Sequence, residues 1–234
     1  MSEIHLRIAT YNIRKALGND RRRDPARTLR VIEALDADIV LLQEADMRLG
    51  LRPPALPPSL FDSSPLQYIP FAHGRDSLGW HGNAILIRDG IEVLAVRHTD
   101  LPGLEPRGAV LADLRFDGQL LRVIGTHLGL MRASRRRQLA ALRAFADQAQ
   151  AKACVVAGDF NEWSGLSHLA GLGTEYRVLP SPPTFHARKP VAALDRIAVS
   201  DAFTLRDIQA VMTPEARRAS DHLPLVADLT LKGA

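Results

Sequence analysis

The stretch VVAGDFNEW, residues 155–163, passes from an apolar run directly into two polar side chains, Asp159 and Asn161. The apolar residues before Gly158 predict a buried strand that ends at this point. Side chains alternate along an extended backbone, so residues two positions apart point to the same side. The Asp159 carboxylate and the Asn161 carboxamide can therefore share one ligand or one metal-bound water.

Comparable β-type runs recur along the whole chain. They are HLRIATYNI, ADIVLLQE, LQYIPFA, NAILIRD, IEVLAVRHT, AVLADLRF, QLLRVIGTHL, ACVVAGDF, LDRIAVS, TLRDIQAV and LPLVADLTL. So many strands with so few helices favour two packed sheets with helices on their outer faces over a doubly wound parallel sheet.

Two segments have helical periodicity, 24–35 and 133–151. The first opens on Asp24 and Pro25, which suit an N-cap followed by proline at the first helical position. The second carries three arginines, 135–137, in its first turns. Positive charge there opposes the helix dipole, so the triplet either is solvated or has an anionic partner. The solvated interpretation is favoured because charge runs usually form wet surface.

Length and composition are those of a protein with a large core. At 234 residues, 46% of them hydrophobic, the chain is predicted to form one domain, 1–234. Two proline-rich segments, 52–59 and 179–185, are interpreted as rigid loops within it, because neither is long enough for a convincing linker. The formal net charge of +4 and the pI near 9.6 suit polyanionic substrates without requiring them.

The single cysteine, Cys154, lies in the apolar run AKACVVAG and is interpreted as a buried structural thiol. The N-terminal stretch MSEIHLRIATYNI lacks a basic region followed by a long apolar core. No segment approaches the roughly 20 apolar residues that a membrane span needs. We therefore expect a cytoplasmic protein without a transmembrane segment, and no obligate protein partner is evident.

Polar residues stand at the ends of the predicted strands in two sets. One set follows strands: Asn12, Glu44, His127, and Asp159 with Asn161. The other set precedes strands: Asn83, Arg107, Asp195, and Asp221 with His222. If the two groups of strands run antiparallel to each other, both sets meet at one edge of the sheets.

Such an edge would concentrate negative charge. Clustered carboxylates repel one another unless a cation is present, so a hard divalent ion such as Mg²⁺, bound by few protein oxygens and several waters, is implied. The histidines are too sparse for a zinc cage. A carboxylate that accepts the Nδ1 proton of His222 would fix its tautomer. Adjacent strand residues point to opposite faces, so Asp195 is a better partner for His222 than Asp221, which is left for metal or substrate.

Each motif has a plain structural explanation when taken alone. GDFN could cap a turn, SDH could cap a strand, and His127 could be a satisfied core histidine. So many independent strand ends that all carry the chemistry of one site are not what solvated loops produce. The joint occurrence therefore favours a site.

The same motifs resemble those of the endonuclease/exonuclease/phosphatase superfamily, the DNase I-like group. They are, in chain order, ATYNIR with Asn12, LLQE with Glu44, GNAILIR with Asn83, RG at 107–108, THL with His127, AGDFN with Asp159 and Asn161, LDRIAVS with Asp195, and SDHLPL with Asp221 and His222. This resemblance spans nearly the whole chain. It implies an α/β (α+β) fold, a four-layer αββα sandwich of two packed mixed β-sheets, with a Mg²⁺-dependent site at one edge.

The resemblance also implies a metal site. Glu44 would be the principal ligand, with Asn12 beside it and Asp221 as a further candidate, and Mn²⁺ could substitute for Mg²⁺. The abasic-site endonucleases have an acidic residue two positions after the asparagine of the first strand. Here that position is Arg14, in which respect the chain resembles the DNase I branch. Arg14 would bind substrate phosphate, and whether one metal ion or two are bound stays open.

Catalytic roles are implied in the same way. Asp159 would orient or deprotonate the attacking water, and Asn161 would hold that water or a phosphate oxygen. His222, oriented by Asp195, would stabilise the charge that develops on the scissile phosphate.

Three further residues are carried over from the resemblance. His127 resembles the second histidine of the DNase I and sphingomyelinase branches, which acts near the leaving group, with Glu105 as its candidate carboxylate partner. Asn83, which is counted among the catalytic residues, and Arg107 would both contact phosphate.

The expected function is a Mg²⁺-dependent phosphodiester hydrolase, with an endonuclease acting on nucleic acid favoured. Arginine-rich segments at 21–23 and 135–137 could follow a nucleic-acid backbone, although Trp80 and Trp163 are the only indoles near the motifs. The alternatives are a sphingomyelinase-like phospholipid phosphodiesterase, for which an apolar loop at 51–60 is the candidate contact, or another phosphatase of the group. A non-catalytic binding module is the remaining hypothesis.

Overall fold

The computed structural model describes residues 3–47, 52–71, 77–147 and 153–232. Strands and helices within these ranges are numbered in chain order. The strands are β1 (Ile4–Asn12), β2 (Ile39–Gln43), β3 (Leu66–Tyr68), β4 (Ala84–Arg88), β5 (Glu92–Leu101), β6 (Arg107–Phe116), β7 (Gln119–His127), β8 (Ala153–Asp159), β9 (Arg177–Val178), β10 (Asp195–Val199), β11 (Phe203–Ala210) and β12 (Leu225–Leu231). The α-helices are α1 (Pro25–Glu33), α2 (Arg132–Ala146) and α3 (Pro214–Ala219).

The strands form two six-stranded sheets with one shared pattern. The first sheet has the order β11-β12-β1-β2-β4-β3, and the second has the order β5-β6-β7-β8-β10-β9. In each sheet the central pair is parallel, β1 with β2 and β7 with β8. All other neighbours are antiparallel. The predicted mixed sheets are therefore confirmed, and so is the antiparallel relation that brings both sets of polar residues to one edge.

Each central parallel pair is joined by a helix, α1 in the first sheet and α2 in the second. A parallel connection must cross over the sheet, and a helix is its usual form. Helices α1 and α3 contribute to the apolar cluster on the outer face of the first sheet, and α2 contributes to that of the second. The order of layers is helix, sheet, sheet, helix, as the resemblance implied.

The core between the sheets decides which side chains reach the site. Inward-facing Leu6 and Ile8 on β1 and Val155 and Ala157 on β8 belong to one buried cluster built from both sheets. With a side-chain period of two, the same face carries the polar residue that ends each strand, such as Asn12 on β1. The polar site is thus the edge of the apolar layer itself.

The predicted helices agree with the structure in their first turns. Asp24 caps α1, since its side chain accepts a hydrogen bond from the Arg27 backbone N–H at 2.9 Å. Helix α2 begins at Arg132, one residue before the predicted start, and is described as far as Ala146. Positions 148–151 of the predicted second helix lie outside the described residues.

The expectation of a solvated arginine triplet is wrong for Arg135. Its side chain is 6% exposed, and it donates to the buried carboxylate of Glu162 at 2.9 and 3.2 Å. Arg136 and Arg137 are exposed as expected. Residue spacing along the helix puts only the first of the three arginines on the side that faces the loop after β8. A guanidinium buried there needs an anionic partner.

Two simpler expectations concern burial. Cys154 on β8 is 2% exposed, and burial raises the pKa of its thiol to about 12, so it is a structural thiol as predicted. Across the described part of the chain, none of the helices has both the length and the apolar character needed to cross a membrane.

Candidate active site

Strand register brings three site residues side by side at the end of the second sheet. His127 on β7 is paired with Asp159 on β8, and Asp159 is also paired with Asp195 on β10. Gly158 makes this close approach feasible, because a Cβ at that position would lie 1.8 Å from the Thr126 carbonyl oxygen. The glycine of the GDFN motif is thus required by the packing of β8 against β7.

Asp159 is the centre of the cluster and is 1% exposed. Its Oδ2 atom accepts from the Asn12 Nδ2 amide at 3.0 Å, a contact that joins the two sheets. The same oxygen lies 3.3 Å from His127 Nε2 and 3.7 Å from His222 Nε2. Its other oxygen, Oδ1, accepts from the Asn161 backbone N–H at 3.0 Å. Three site residues from distant parts of the sequence, together with the nearby Asn161, therefore converge on one carboxylate.

His222 forms the expected dyad with Asp195. The Nδ1 atom of His222 lies 2.8 Å from Asp195 Oδ2, an arrangement that directs Nε2 towards Asp159. Thr184 donates a hydroxyl hydrogen bond to the same Asp195 oxygen. The Phe185 ring packs against the imidazole, with ring centroids 4.9 Å apart. These contacts fix the ring plane of His222 and the direction of its two nitrogens.

The environment shifts both titrating groups. Burial works to lower the pKa of His222, but the nearby carboxylates of Asp195 and Asp159 outweigh it, and the pKa is raised to about 10. Burial raises the pKa of Asp159 to about 6, against the lowering effect of His222. At neutral pH the site therefore pairs a protonated imidazole with an ionised carboxylate that can accept a proton.

The first sheet supplies a more polar half of the site. Arg14, Lys15 and the following Ala16 all have left-handed backbone conformations, which turn the chain back after β1. This turn brings the Lys15 ammonium into an ion pair with Glu44, and Arg14 Nε lies 3.2 Å from Asp221 Oδ2. Both carboxylates expected to bind metal are thus paired with cations.

The donor set at this half fits a hydrated divalent ion. Asn12 Oδ1 accepts from the Arg14 backbone N–H at 3.1 Å, and Glu44 is part of a cavity wall with an 18% exposed side chain. Among the described residues, no group of three or more histidine, cysteine, aspartate or glutamate side chains converges to form a complete metal cage. Mg²⁺ commonly uses one or two carboxylates and keeps its waters, so a carboxylate with a neighbouring carboxamide is suitable for it.

A cavity of about 440 Å³ opens beside Glu44. It is lined by Glu44, Lys15, His127, Arg107 and His81, together with neighbouring loop residues. The cavity therefore has both a candidate metal ligand and a candidate leaving-group histidine in its wall, and its size is within the range of small-ligand pockets.

Asn83 and Arg107, two of the expected phosphate contacts, have structural contacts as well. Asn83 is fully buried, and its Nδ2 donates to the carbonyls of Trp80 and Gly108 at 3.1 and 3.0 Å. Arg107 lines the cavity and pairs with Glu105 at 3.1 Å. Glu105 accepts hydrogen bonds from Arg107 and from the Leu130 backbone N–H, and its expected partnership with His127 stays a prediction.

Asn161 ties two loops together. Its Nδ2 donates to the Leu128 carbonyl at 2.9 Å, which links the segment after β8 to the segment after β7. The backbone of Asn161 is left-handed, a conformation that asparagine tolerates better than most residues. The side chain thus holds the loop beside Asp159, and its role towards water or phosphate stays a prediction.

Sequence reasoning missed three contributors. Lys15 follows Arg14 in the motif ATYNIR but carries no motif signal of its own. Thr184 and Phe185 lie in the proline-rich segment 179–185, which was interpreted only as a loop. The segment's end is fixed by backbone bridges from Phe185 to Ala192 and to His222. No spacing rule connects these residues to His222, so only the folded chain could reveal them.

Comparisons with known proteins identify the family and support the fold. The sequence model of the Endonuclease/Exonuclease/phosphatase family matches residues 9–222. The uncharacterized protein YbhP of Escherichia coli is 32% identical over 249 residues, covering 98% of each chain. Among solved structures, D. rerio TDP2 complexed with a single-strand DNA product has a TM-score of 0.74 at 20% identity, covering 96% of this chain and 98% of that one. The mannosyl-6-phosphatase of Bacteroides thetaiotaomicron has a TM-score of 0.75 at 18% identity, with coverage of 96% and 99%.

The fold and the site thus define a hydrolase of phosphoester bonds from a group that uses divalent metal ions. The chain belongs to the endonuclease/exonuclease/phosphatase family. At 20% and 18% identity, the two solved structures support the fold alone.

Proposed function

We propose that this protein is a Mg²⁺-dependent phosphodiesterase that cleaves nucleic-acid backbones as an endonuclease. The observation that carries the proposal is the convergence on Asp159 of Asn12, His127 and His222, beside the Glu44 cavity. A buried carboxylate next to a protonated imidazole and a cation-binding carboxylate is the set of groups that hydrolysis of a phosphodiester needs.

The residues divide the work as follows. Asp159 Oδ2 takes up the proton of the attacking water, because its raised pKa brings it closer to the operating pH. The His222 imidazolium, held by Asp195, donates to a non-bridging phosphate oxygen and offsets the charge that develops there. His127, which lines the cavity, protonates the leaving oxygen.

The metal ion would be held by Glu44 and Asn12. When bound, Mg²⁺ supplies Lewis-acid stabilisation of charge on the phosphate oxygens. Lys15 and Arg14 stand beside the same carboxylates, and both cations can turn to substrate phosphate once Glu44 and Asp221 have another partner. Arg107 extends the positive wall of the cavity.

Two features support nucleic acid as the substrate. The net positive charge comes almost entirely from arginine, which suits a polyanionic backbone. The segment 52–60 buries Ala55 and Leu56 and exposes only proline and serine at its tip, which is a poor lipid anchor.

A phospholipid diester remains the second candidate because of one exposed apolar group. Leu104, Leu130 and Met131 are 81%, 64% and 54% exposed, and Leu130 is part of the cavity wall. Apolar side chains around a phosphoesterase mouth suit a lipid surface, so the experiment must separate the two substrates.

The test is a panel of substrates assayed with Mg²⁺, with Mn²⁺ and with EDTA. Supercoiled plasmid, a single-stranded oligonucleotide, phospholipid vesicles and bis-p-nitrophenyl phosphate are compared for the native protein and for His222→Ala. We expect EDTA-sensitive nicking of plasmid and a loss of roughly 10² to 10⁴ in rate for His222→Ala. Headgroup release without nicking would select the phospholipid candidate. No turnover of any diester under any metal would overturn the proposal.

A further inference from the structure

Trp163 is an exposed indole next to the catalytic cluster, and nothing in the packing of the fold explains its exposure. Its side chain is 60% exposed, although large aromatic side chains are usually covered. The other tryptophan, Trp80, is only half-buried too, but its ring stacks on His98 at 4.0 Å and its N–H donates to Asp100 at 2.8 Å. Of the two indoles, Trp80 has its partners and Trp163 has a face open to solvent.

The chain holds Trp163 in place from both sides. Glu162 before it is 2% exposed and is anchored by Arg135. The same carboxylate accepts from the Ser164 backbone N–H at 2.8 Å, which closes a tight turn with Trp163 at its apex. The contacts of this turn therefore hold the Trp163 side chain in an exposed position.

Ring contacts connect Trp163 to the catalytic histidine. The Trp163 and Phe185 rings meet edge to face with centroids 5.7 Å apart, and Phe185 packs against His222 at 4.9 Å. One aromatic ring therefore separates the exposed indole from the imidazole that faces the scissile phosphate. A sugar linked to a phosphate at His222 can place a planar substituent on Trp163.

Positive charge continues beyond the indole. A second cavity of about 410 Å³ is lined by Glu162, the residue before Trp163, and by Arg132, Arg136 and His168, among others. A polyanionic strand leaving the catalytic cluster past Trp163 would meet these cations next. The sequence of a phosphate site, an aromatic face and a basic cavity is the pattern of a single-strand binding groove.

We propose that Trp163 is a stacking platform for the nucleobase adjacent to the scissile phosphate. The proposal rests on the proposed function in its nucleic-acid form and names a subsite of that same site. Stacking tolerates any base, because every base has a π-face, so Trp163 contributes affinity for bases without selecting a sequence.

The test measures binding apart from turnover. Fluorescence anisotropy in EDTA gives the dissociation constants of an oligo(dT) and of an equally long strand of tetrahydrofuran abasic units. We expect Trp163→Ala to weaken oligo(dT) binding about tenfold or more and to leave the abasic strand within twofold. Trp163→Phe keeps a π-face and should recover most of the affinity.

Leu120→Ala is the matched control, since Leu120 is 55% exposed at the opposite end of β7 from His127. It should leave both dissociation constants unchanged, and thermal melts should show all variants folded. Equal weakening of both strands by Trp163→Ala, or no weakening of either, would overturn the platform. Base-selective weakening in a protein that hydrolyses no diester would keep the platform and overturn the proposed function. If Trp163→Ala has the same effect on both strands in a protein that is an active nuclease, the platform is overturned and the proposed function is kept.

Discussion

The two sheets share one strand pattern, yet the carboxylates at their ends differ in burial and in their partners. At the end of the second sheet, Asp159 and Asp195 are 1% and 0% exposed and are bonded to neutral or imidazole partners. At the end of the first sheet, Glu44 and Asp221 have side chains 18% and 21% exposed and are ion-paired with Lys15 and Arg14.

This difference separates two tasks within one site. A buried carboxylate with few charged donors keeps a raised pKa, as Asp159 does, and this property suits a group that exchanges a proton. A carboxylate that is partly solvated and already beside a cation can exchange that cation for another, which is the property a metal ligand needs. We therefore interpret the second sheet as the proton-handling half and the first sheet as the cation-binding half.

Asp159→Asn should have the largest effect. The carboxamide keeps the shape but cannot accept a proton and reverses the donor pattern towards Asn12, so the rate constant should fall by roughly 10² to 10⁴. Hydrolysis of bis-p-nitrophenyl phosphate measures it. Metal affinity, measured by calorimetry, should change little. Asp201→Asn, at an exposed position, is the matched control. A rate for Asp159→Asn within twofold of the native rate would show that Asp159 is not the proton acceptor.

Asp195→Asn should act through His222 and have a smaller effect on the rate. The Asp195 carboxylate raises the pKa of His222, so without it the imidazole loses its proton at a lower pH. Activity that requires the imidazolium is present below that pKa and lost above it. The alkaline limb of the pH–rate profile should therefore move to lower pH in the variant. A profile that falls in height without moving would contradict the positioning role.

Glu44→Gln should weaken metal binding instead. Loss of the charged ligand is expected to raise the Mg²⁺ dissociation constant by at least roughly tenfold, while saturating Mg²⁺ restores much of the rate. Calorimetric titration and the Mg²⁺ dependence of hydrolysis measure the two quantities. Glu33→Gln on α1 serves as the control. Unchanged metal affinity would break the division of the site into two halves.

Lys15→Met should have the smallest effect and the opposite sign. Its ammonium competes with a metal ion for Glu44, so removing it should tighten Mg²⁺ binding, by about fivefold at most for a partly exposed pair worth about 1 kcal/mol. The same calorimetric titration measures the change. Weaker Mg²⁺ binding in the variant would show that Lys15 supports the metal site rather than competing for it.

Sequence patterns identified the strand ends because these depend on local rules, and a local rule also excluded Asp221 as the partner of His222. Alternation of side chains on a strand decides that Asp195, and not the adjacent Asp221, faces His222, and the structure shows that contact at 2.8 Å. The burial of Arg135 was not predicted, because its partner Glu162 belongs to no motif and side-chain alternation does not connect the two. The same holds for Thr184 and Phe185.

The amino-acid sequence by itself determined the strands, their apolar inner faces and the polar residue at each strand end, because hydrophobic periodicity is a property of neighbouring residues. Only the tertiary structure decided that Asn12 reaches Asp159 across the two sheets and that Lys15 turns back onto Glu44. Only the folded chain, likewise, seats Trp163 beside the ring that covers His222. These contacts join residues far apart in the chain, and their free energy exists only when the core between the sheets has brought the strand ends together.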